Sequence, residues 1–201
     1  MKVTIRNDCI IIDGYVNAVG RDSKPIVTER GRCIEQIAPG TFSRALTKTL
    51  SKNKNIPLLL NHNSQRCLGS TADNINSVNL REDSIGLRAT ARLSDSEIME
   101  KAKKGLLKGW SFGMHVINDK MEQREQDLPR RIVSELELLE VSILDENRTP
   151  AYAGTSIEIR DNEQYVHEMR VMESEVEIER QIFDYAQWER KINSLKKEQR
   201  K

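Results

Sequence analysis

The stretch Asn76-Ser77-Val78-Asn79-Leu80-Arg81-Glu82-Asp83-Ser84-Ile85-Gly86-Leu87-Arg88-Ala89-Thr90-Ala91-Arg92-Leu93 decides the fold class. Val78 and Leu80 alternate with polar residues, and so do Leu87, Ala89, Ala91 and Leu93. A period of two puts one set of side chains on a buried face and the other in water. Arg81-Glu82-Asp83-Ser84 separates the two runs, a polar break of hairpin length. The stretch predicts an antiparallel hairpin and, with its neighbours, a mainly β chain.

Working outward, Ser94-Asp95-Ser96-Glu97 reads as a capping box, with Ser94 as N-cap, opening a helix that ends near Gly105-Leu106. Upstream, Pro57 to His62 reads as a buried strand. Phe42, Ala45, Leu46 and Leu50 recur on one helical face. Val3 to Asn7, Cys9 to Val19 and Cys33 to Ile37 read as strands. Downstream, Lys108 to Ile117 and Arg130 to Leu144 are further strands, joined by a polar loop over Asn118 to Pro129. Many short strands with two helices predict an α+β, mainly β fold: a closed or partly closed β-barrel with flanking helices.

The expected boundary lies near residue 160, giving a domain over 1–160 and a tail over 161–201. The last Pro and Gly of the chain are Pro150 and Gly154. Beyond them Tyr165, Met169, Met172 and Val176, then Ile178, Ile182, Tyr185, Trp188, Ile192 and Leu195, predict a long amphipathic helix or coiled coil. Such a helix would bind a partner, self-associate or fold back on the domain.

Composition excludes several function classes. Of 201 residues, 37% are hydrophobic and 31% charged, and the longest apolar runs fall far short of the roughly 20 residues that span a bilayer. A formal net charge of +1 argues against a strongly basic nucleic-acid binder. No membrane and no nucleic-acid partner is expected. Met1 to Asp8 breaks its apolar run with charges, so a secretory signal is not expected and the chain is read as cytoplasmic. Cys9, Cys33 and Cys67 are odd in number and lack C-x-x-C spacing, which argues against disulfide and zinc frameworks; no metal or other cofactor is expected.

Three residues carry chemistry. His62 follows Leu58-Leu59-Leu60 at a strand end. Ser111 sits in Gly109-Trp110-Ser111-Phe112-Gly113, a G-x-S-x-G match followed by strand-like residues instead of the helix that a hydrolase nucleophile elbow requires. Its glycines leave the backbone open to a substrate main chain. Glu140 interrupts the apolar run Leu138 to Leu144, where a carboxylate needs a partner. On alternation it shares a face with Leu138, Ser142 and Leu144. Serine, histidine and acid are the nucleophile, base and orienter of acyl transfer. His115 lies on the same strand as Ser111, about 13 Å away at ~3.3 Å per residue, out of reach. Nothing supports Cys67 as a nucleophile.

The ordered series Gly14-Tyr15-Val16-Asn17, Glu35 to Phe42, Leu58 to His62 with Leu68-Gly69, Gly86 to Leu93, Gly105 to Gly113, and Leu139 to Leu144 with Pro150-Ala151-Tyr152 resembles the prohead (capsid maturation) serine proteases of tailed bacteriophages. It covers roughly residues 10 to 157. The resemblance implies a fold similar to the herpesvirus assembly proteases and a triad of His62 as base, Ser111 as nucleophile and Glu140 as acid. It also implies cleavage of scaffold protein or a capsid-protein scaffolding segment, and of the protease itself, inside the assembling prohead in the host cytoplasm. Backbone N–H groups are the expected oxyanion donors, with Arg130, Arg131 and Arg148 as candidate helpers. A competing expectation is a non-catalytic scaffolding or adaptor protein acting through the C-terminal helix.

Overall fold

The computed structural model describes residues 1–147, 157–160, 166–173 and 175–180. The elements run β1 (Lys2–Ile5), β2 (Ile10–Ala18), β3 (Ile26–Thr28), β4 (Gly31–Ile37), α1 (Thr41–Ser51), β5 (Pro57–Leu60), β6 (Asn63–Ser70), β7 (Ser77–Glu82) and β8 (Gly86–Leu93). They continue with α2 (Ser96–Lys103), β9 (Leu107–Glu122), β10 (Arg130–Asp145), β11 (Ile157–Arg160), β12 (Val166–Glu173) and β13 (Glu177–Arg180). The expected hairpin is present: β7 and β8 pair antiparallel from Ser77–Arg92 to Glu82–Leu87. Its turn is closed by the Asp83 carboxylate, which accepts from the N–H groups of Ile85 and Gly86.

The sheet is mainly antiparallel, in the order β11-β12-β9-β10-β5-β6-β7-β8-β2-β1-β13, with β4 also paired to β10 and β3 to β4. Among the described residues this path has two ends and does not join into a ring: they form the expected mainly β sheet with two helices, without the closure of a full barrel. The sheet still folds over its own apolar face. Phe112 and Trp110 of β9 are fully buried with Ile10 and Ile12 of β2 in one core, and Phe42 of α1 meets Phe112 edge-on at 5.4 Å. Gly14 of β2 makes the approach feasible: a Cβ there would stand 3.0 Å from the Trp110 indole nitrogen.

Several sequence expectations shift. The N-cap of α2 is Asp95, not Ser94; its carboxylate accepts from the Ile98 N–H at 3.0 Å. Leu50, placed by periodicity on the buried face of α1, is 69% exposed because the core ends one turn earlier. β9 continues through Asn118 to Glu122, where a loop is expected, because those residues pair with Arg130 to Glu135 of β10. Residues 166–173 and 177–180 are strands where the heptad-like spacing predicts helix. The reason is tertiary: β9 and β1 each present an edge of unpaired backbone groups, and pairing there outweighs local helical periodicity. β12 joins β9 antiparallel and β13 joins β1 in parallel, so segments beyond residue 160 extend the same sheet. Of the predicted helix, 161–165, 174 and 181–201 lie outside the described residues.

Candidate active site

Two neighbouring strands and one turn build the site. Ser111 lies within β9 and faces Ser142 across the antiparallel ladder with β10. Glu140 lies two residues before Ser142 on β10, opposite Gly113. Residues two apart on a strand share a face, so Ser111, Glu140 and Ser142 point the same way. The ladder slips by a residue between Leu138 and Glu140, which places a bulge at Leu139. Leu138 therefore turns to the core with Val141 and Ile143 and is buried, instead of sharing the Glu140 face. The bulge brings a carboxylate to a face that strict alternation would have given to a different residue.

His62 does not end a strand as expected. It occupies, with Asn61, the two-residue turn between β5 and β6, and both residues have positive φ, 54° and 60°. Positive φ at both central positions is the geometry whose twist matches a tight hairpin. Neither residue is glycine, so the conformation must be held from outside. The holding contacts come from β10. The Asn61 amide donates to Asp145 Oδ1 at 2.7 Å, and Asn61 Oδ1 accepts from the Asp145 N–H at 3.1 Å. The Asn61 N–H donates to the Ile143 carbonyl at 2.9 Å, and the His62 N–H to Ser142 Oγ at 3.1 Å. Burial would raise the Asp145 pKa. The Lys101 ammonium, 2.8 Å away, and the Asn61 amide outweigh it and hold the carboxyl below its ordinary value.

The turn delivers the imidazole between the other two residues. His62 Nδ1 lies 2.5 Å from Glu140 Oε1, and Nε2 lies 2.6 Å from Ser111 Oγ. A carboxylate only accepts, so Nδ1 carries the hydrogen and Nε2 keeps the lone pair that can take a hydroxyl proton. The second carboxylate oxygen, Oε2, accepts from the Ser142 hydroxyl at 2.6 Å. The His62 and Glu140 side chains are 4% and 12% exposed and Ser111 is fully buried, so the array works in a medium poor in water, where its electrostatics are strengthened.

The three sequence-predicted residues thus come together. His115 pairs with Glu137 further along β9, and the ring that reaches Ser111 belongs to His62. Arg130 is paired with Asp22, and Arg131 with Asp119, Glu35 and Glu168; Arg148 lies outside the described residues. Cys67 is exposed, while Cys9 and Cys33 are buried. Among the described residues no group of His, Cys, Asp or Glu is arranged to hold a metal ion, and no helix is long and apolar enough to cross a membrane.

Ser142, Asn61 and Asp145 carry no signature of a role in the sequence. The one available signal was the two-residue spacing of Ser142 from Glu140. Gly113 also has a use beyond the openness to substrate expected of it. A Cβ on it would stand 2.8 Å from Glu140 Oε1, the oxygen that holds His62. Its missing side chain makes room for the acid. Gly113→Ala is expected to push the carboxylate off the imidazole and lower kcat roughly 10- to 10²-fold. The melting temperature should stay close to that of the unchanged chain, since a side-chain tip can move aside; steady-state kinetics with a melting curve checks both.

A family model described as caudovirus prohead serine protease matches residues 1–170. No curated protein and no solved structure matches the chain. The likeness in fold to the herpesvirus assembly proteases therefore rests on the sequence resemblance alone.

Proposed function

The chain belongs to the caudovirus prohead serine proteases, and from that premise we propose a Ser-His-Glu acyl-enzyme mechanism for it. Membership makes it a serine peptidase, a hydrolase of phage capsid maturation. In the proposed mechanism Ser111 Oγ attacks the scissile carbonyl carbon while His62 Nε2 takes its proton. Glu140 stabilises the imidazolium through the Nδ1 hydrogen. The proton passes to the departing amine, whose C–N bond breaks, leaving an ester on Ser111. Water, deprotonated by the same imidazole, then hydrolyses the ester. Ser142 is a positioning residue: its oxygen accepts from the His62 backbone while its hydrogen anchors Glu140.

The observation that carries this reading is the imidazole of His62 held between Glu140 and Ser111. The proposed substrates are the scaffold protein, or a capsid-protein scaffolding segment, and the protease itself, acted on within the assembling prohead in the host cytoplasm. Co-expression with the capsid and scaffold proteins tests it. Mass spectrometry is expected to find new termini in one of them. Intact capsid and scaffold proteins beside a folded protease would overturn the substrate assignment. The competing adaptor reading drew on a long C-terminal helix, and the described part of that segment forms strands.

A further inference from the structure

Ser111 is fully buried, although a nucleophile must meet substrate. The strand against it is β12. One edge of β9 is paired with β10, and the other carries β12 antiparallel, from Glu168 opposite Met114 to Glu173 opposite Gly109. Val171 stands opposite Ser111, and the Ser111 hydroxyl donates to the Arg170 carbonyl oxygen at 2.7 Å. Ser111 Oγ also lies 2.6 Å from His62 Nε2. One hydroxyl carries one proton, so a bond to the Arg170 carbonyl withdraws it from the imidazole. A main-chain carbonyl of an extended strand, set beside the nucleophile, is where a peptide substrate would present its own.

The side chains of β12 are recognised as well. Arg170 and Glu168, two residues apart and 5% exposed each, enter a buried ionic ring with Glu35 of β4 and Arg131 of β10. Arg170 Nε and Nη2 reach Glu35 Oε1 and Oε2 at 2.5 and 2.7 Å. Arg131 Nη1 and Nη2 reach Glu168 Oε2 and Oε1 at 2.6 and 2.8 Å. Glu168 also pairs with Arg170, and Glu35 lies 3.3 Å from Arg131. Half of the ring belongs to the body: Arg131 and Glu35 stand in register on the parallel pair of β10 and β4. That pair exists whatever lies along β9. It offers a carboxylate for a guanidinium and a guanidinium for a carboxylate, spaced for alternate residues of an added strand.

We infer that the β9 edge binds peptide substrate as an added antiparallel strand, that Glu35 and Arg131 select Arg at the residue whose carbonyl meets Ser111 and Glu two residues before it, and that β12 is this chain's own occupant of that place. The inference rests on the reading of Ser111 as nucleophile and adds the substrate class. It also makes β12 a competitor of every peptide cleaved in trans.

The test uses the full chain, a peptide of residues 164–174, and the same peptide with the residues of Glu168 and Arg170 exchanged. The parent peptide is expected to be cut between Arg and Val, and the exchanged peptide roughly tenfold or more slowly, since it buries like charges against Glu35 and Arg131. E168A/R170A removes the charges of β12 while leaving Glu35 and Arg131 in place. It is expected to cut the parent peptide about tenfold faster than the unchanged chain, because the competing strand is loosened. Equal rates for the two peptides on the unchanged chain overturn the inference, and that comparison stands even if the variant fails to fold. A folded E168A/R170A chain with no gain in rate overturns the competition. Binding to the S111A/E168A/R170A chain, read by fluorescence anisotropy, separates the two readings. Charge-dependent binding without hydrolysis by the Ser111-bearing chain keeps the strand-addition site and removes the nucleophile. Hydrolysis indifferent to the charges keeps the nucleophile and removes the site.

Discussion

Ser111→Ala is expected to lower kcat/KM for a cleaved peptide by about 10⁴- to 10⁶-fold, with the fold intact. The expectation of an intact fold follows from burial. Ser111 is fully enclosed on β9, and alanine keeps its Cβ and its place in the ladders with β10 and β12. What is lost is one oxygen with two partners, His62 Nε2 and the Arg170 carbonyl. Neither partner holds the sheet together. The ring of His62 stays fixed by Glu140, and β12 keeps its ladder. Circular dichroism should therefore superimpose on that of the unchanged protein while product formation falls to the level that binding and polarisation alone sustain. A variant that still processes capsid or scaffold protein at the original rate would take Ser111 out of the chemistry.

Glu140→Gln should cost about 10⁴-fold in kcat, again without unfolding. Glutamine has the shape of glutamate but brings one acceptor and one two-hydrogen donor in place of two acceptors. Both oxygens of Glu140 are in use: Oε1 faces His62 Nδ1 at 2.5 Å, and Oε2 accepts from Ser142 at 2.6 Å. If the amide nitrogen turns toward His62, Nδ1 must become the acceptor and Nε2 carries the hydrogen. It then has no lone pair for the Ser111 proton. If it turns toward Ser142, two donors face each other, and the serine oxygen that receives the His62 backbone N–H is disturbed. Either orientation also removes the negative charge that stabilises the imidazolium. A pH–rate profile with peptide substrate checks the assignment. Full activity in this variant would place the third role elsewhere.

Elements with local causes were the legible ones. The β7–β8 hairpin could be read because six apolar positions alternate around a polar break, and α1 because Phe42 and Ala45 recur on one face. The three site residues were legible as unusual residues in strand-like contexts, and the family resemblance ordered them. Features decided by partners distant in sequence were not. The bulge at Leu139 exists only relative to β9, so no inspection of Leu138 to Leu144 reveals it. The turn at Asn61-His62 carries no glycine to announce positive φ; its cause is Asp145, eighty-four residues away. The ring of Glu35, Arg131, Glu168 and Arg170 joins residues up to 135 positions apart, and two of them fall in a segment whose periodicity points to helix. In that segment the three- and four-residue spacing of apolar side chains that suits a helix is outweighed by the hydrogen-bonding edge of β9.

Asp119 and Arg131 show how far this ring constrains the molecule. Burial opposes charge on both, yet Arg30 together with Arg131 holds the Asp119 pKa below its ordinary value, and Glu168, Glu35 and Asp119 hold the Arg131 pKa above its own. Breaking a buried ion pair by removing one partner leaves a stranded charge. Specificity at Arg131 therefore cannot be redesigned one residue at a time.

The placement of the imidazole at the tip of a two-residue hairpin has a consequence for comparing chains. Twist and span of that loop are set by its length, so one inserted residue between Leu60 and Asn63 would rotate the ring out of line with the hydroxyl. Loop length there becomes a diagnostic. A homologous gene product with a longer connection, even one that retains a histidine, a serine and a glutamate in order, should be counted among those that have surrendered hydrolysis and kept only the scaffold of it.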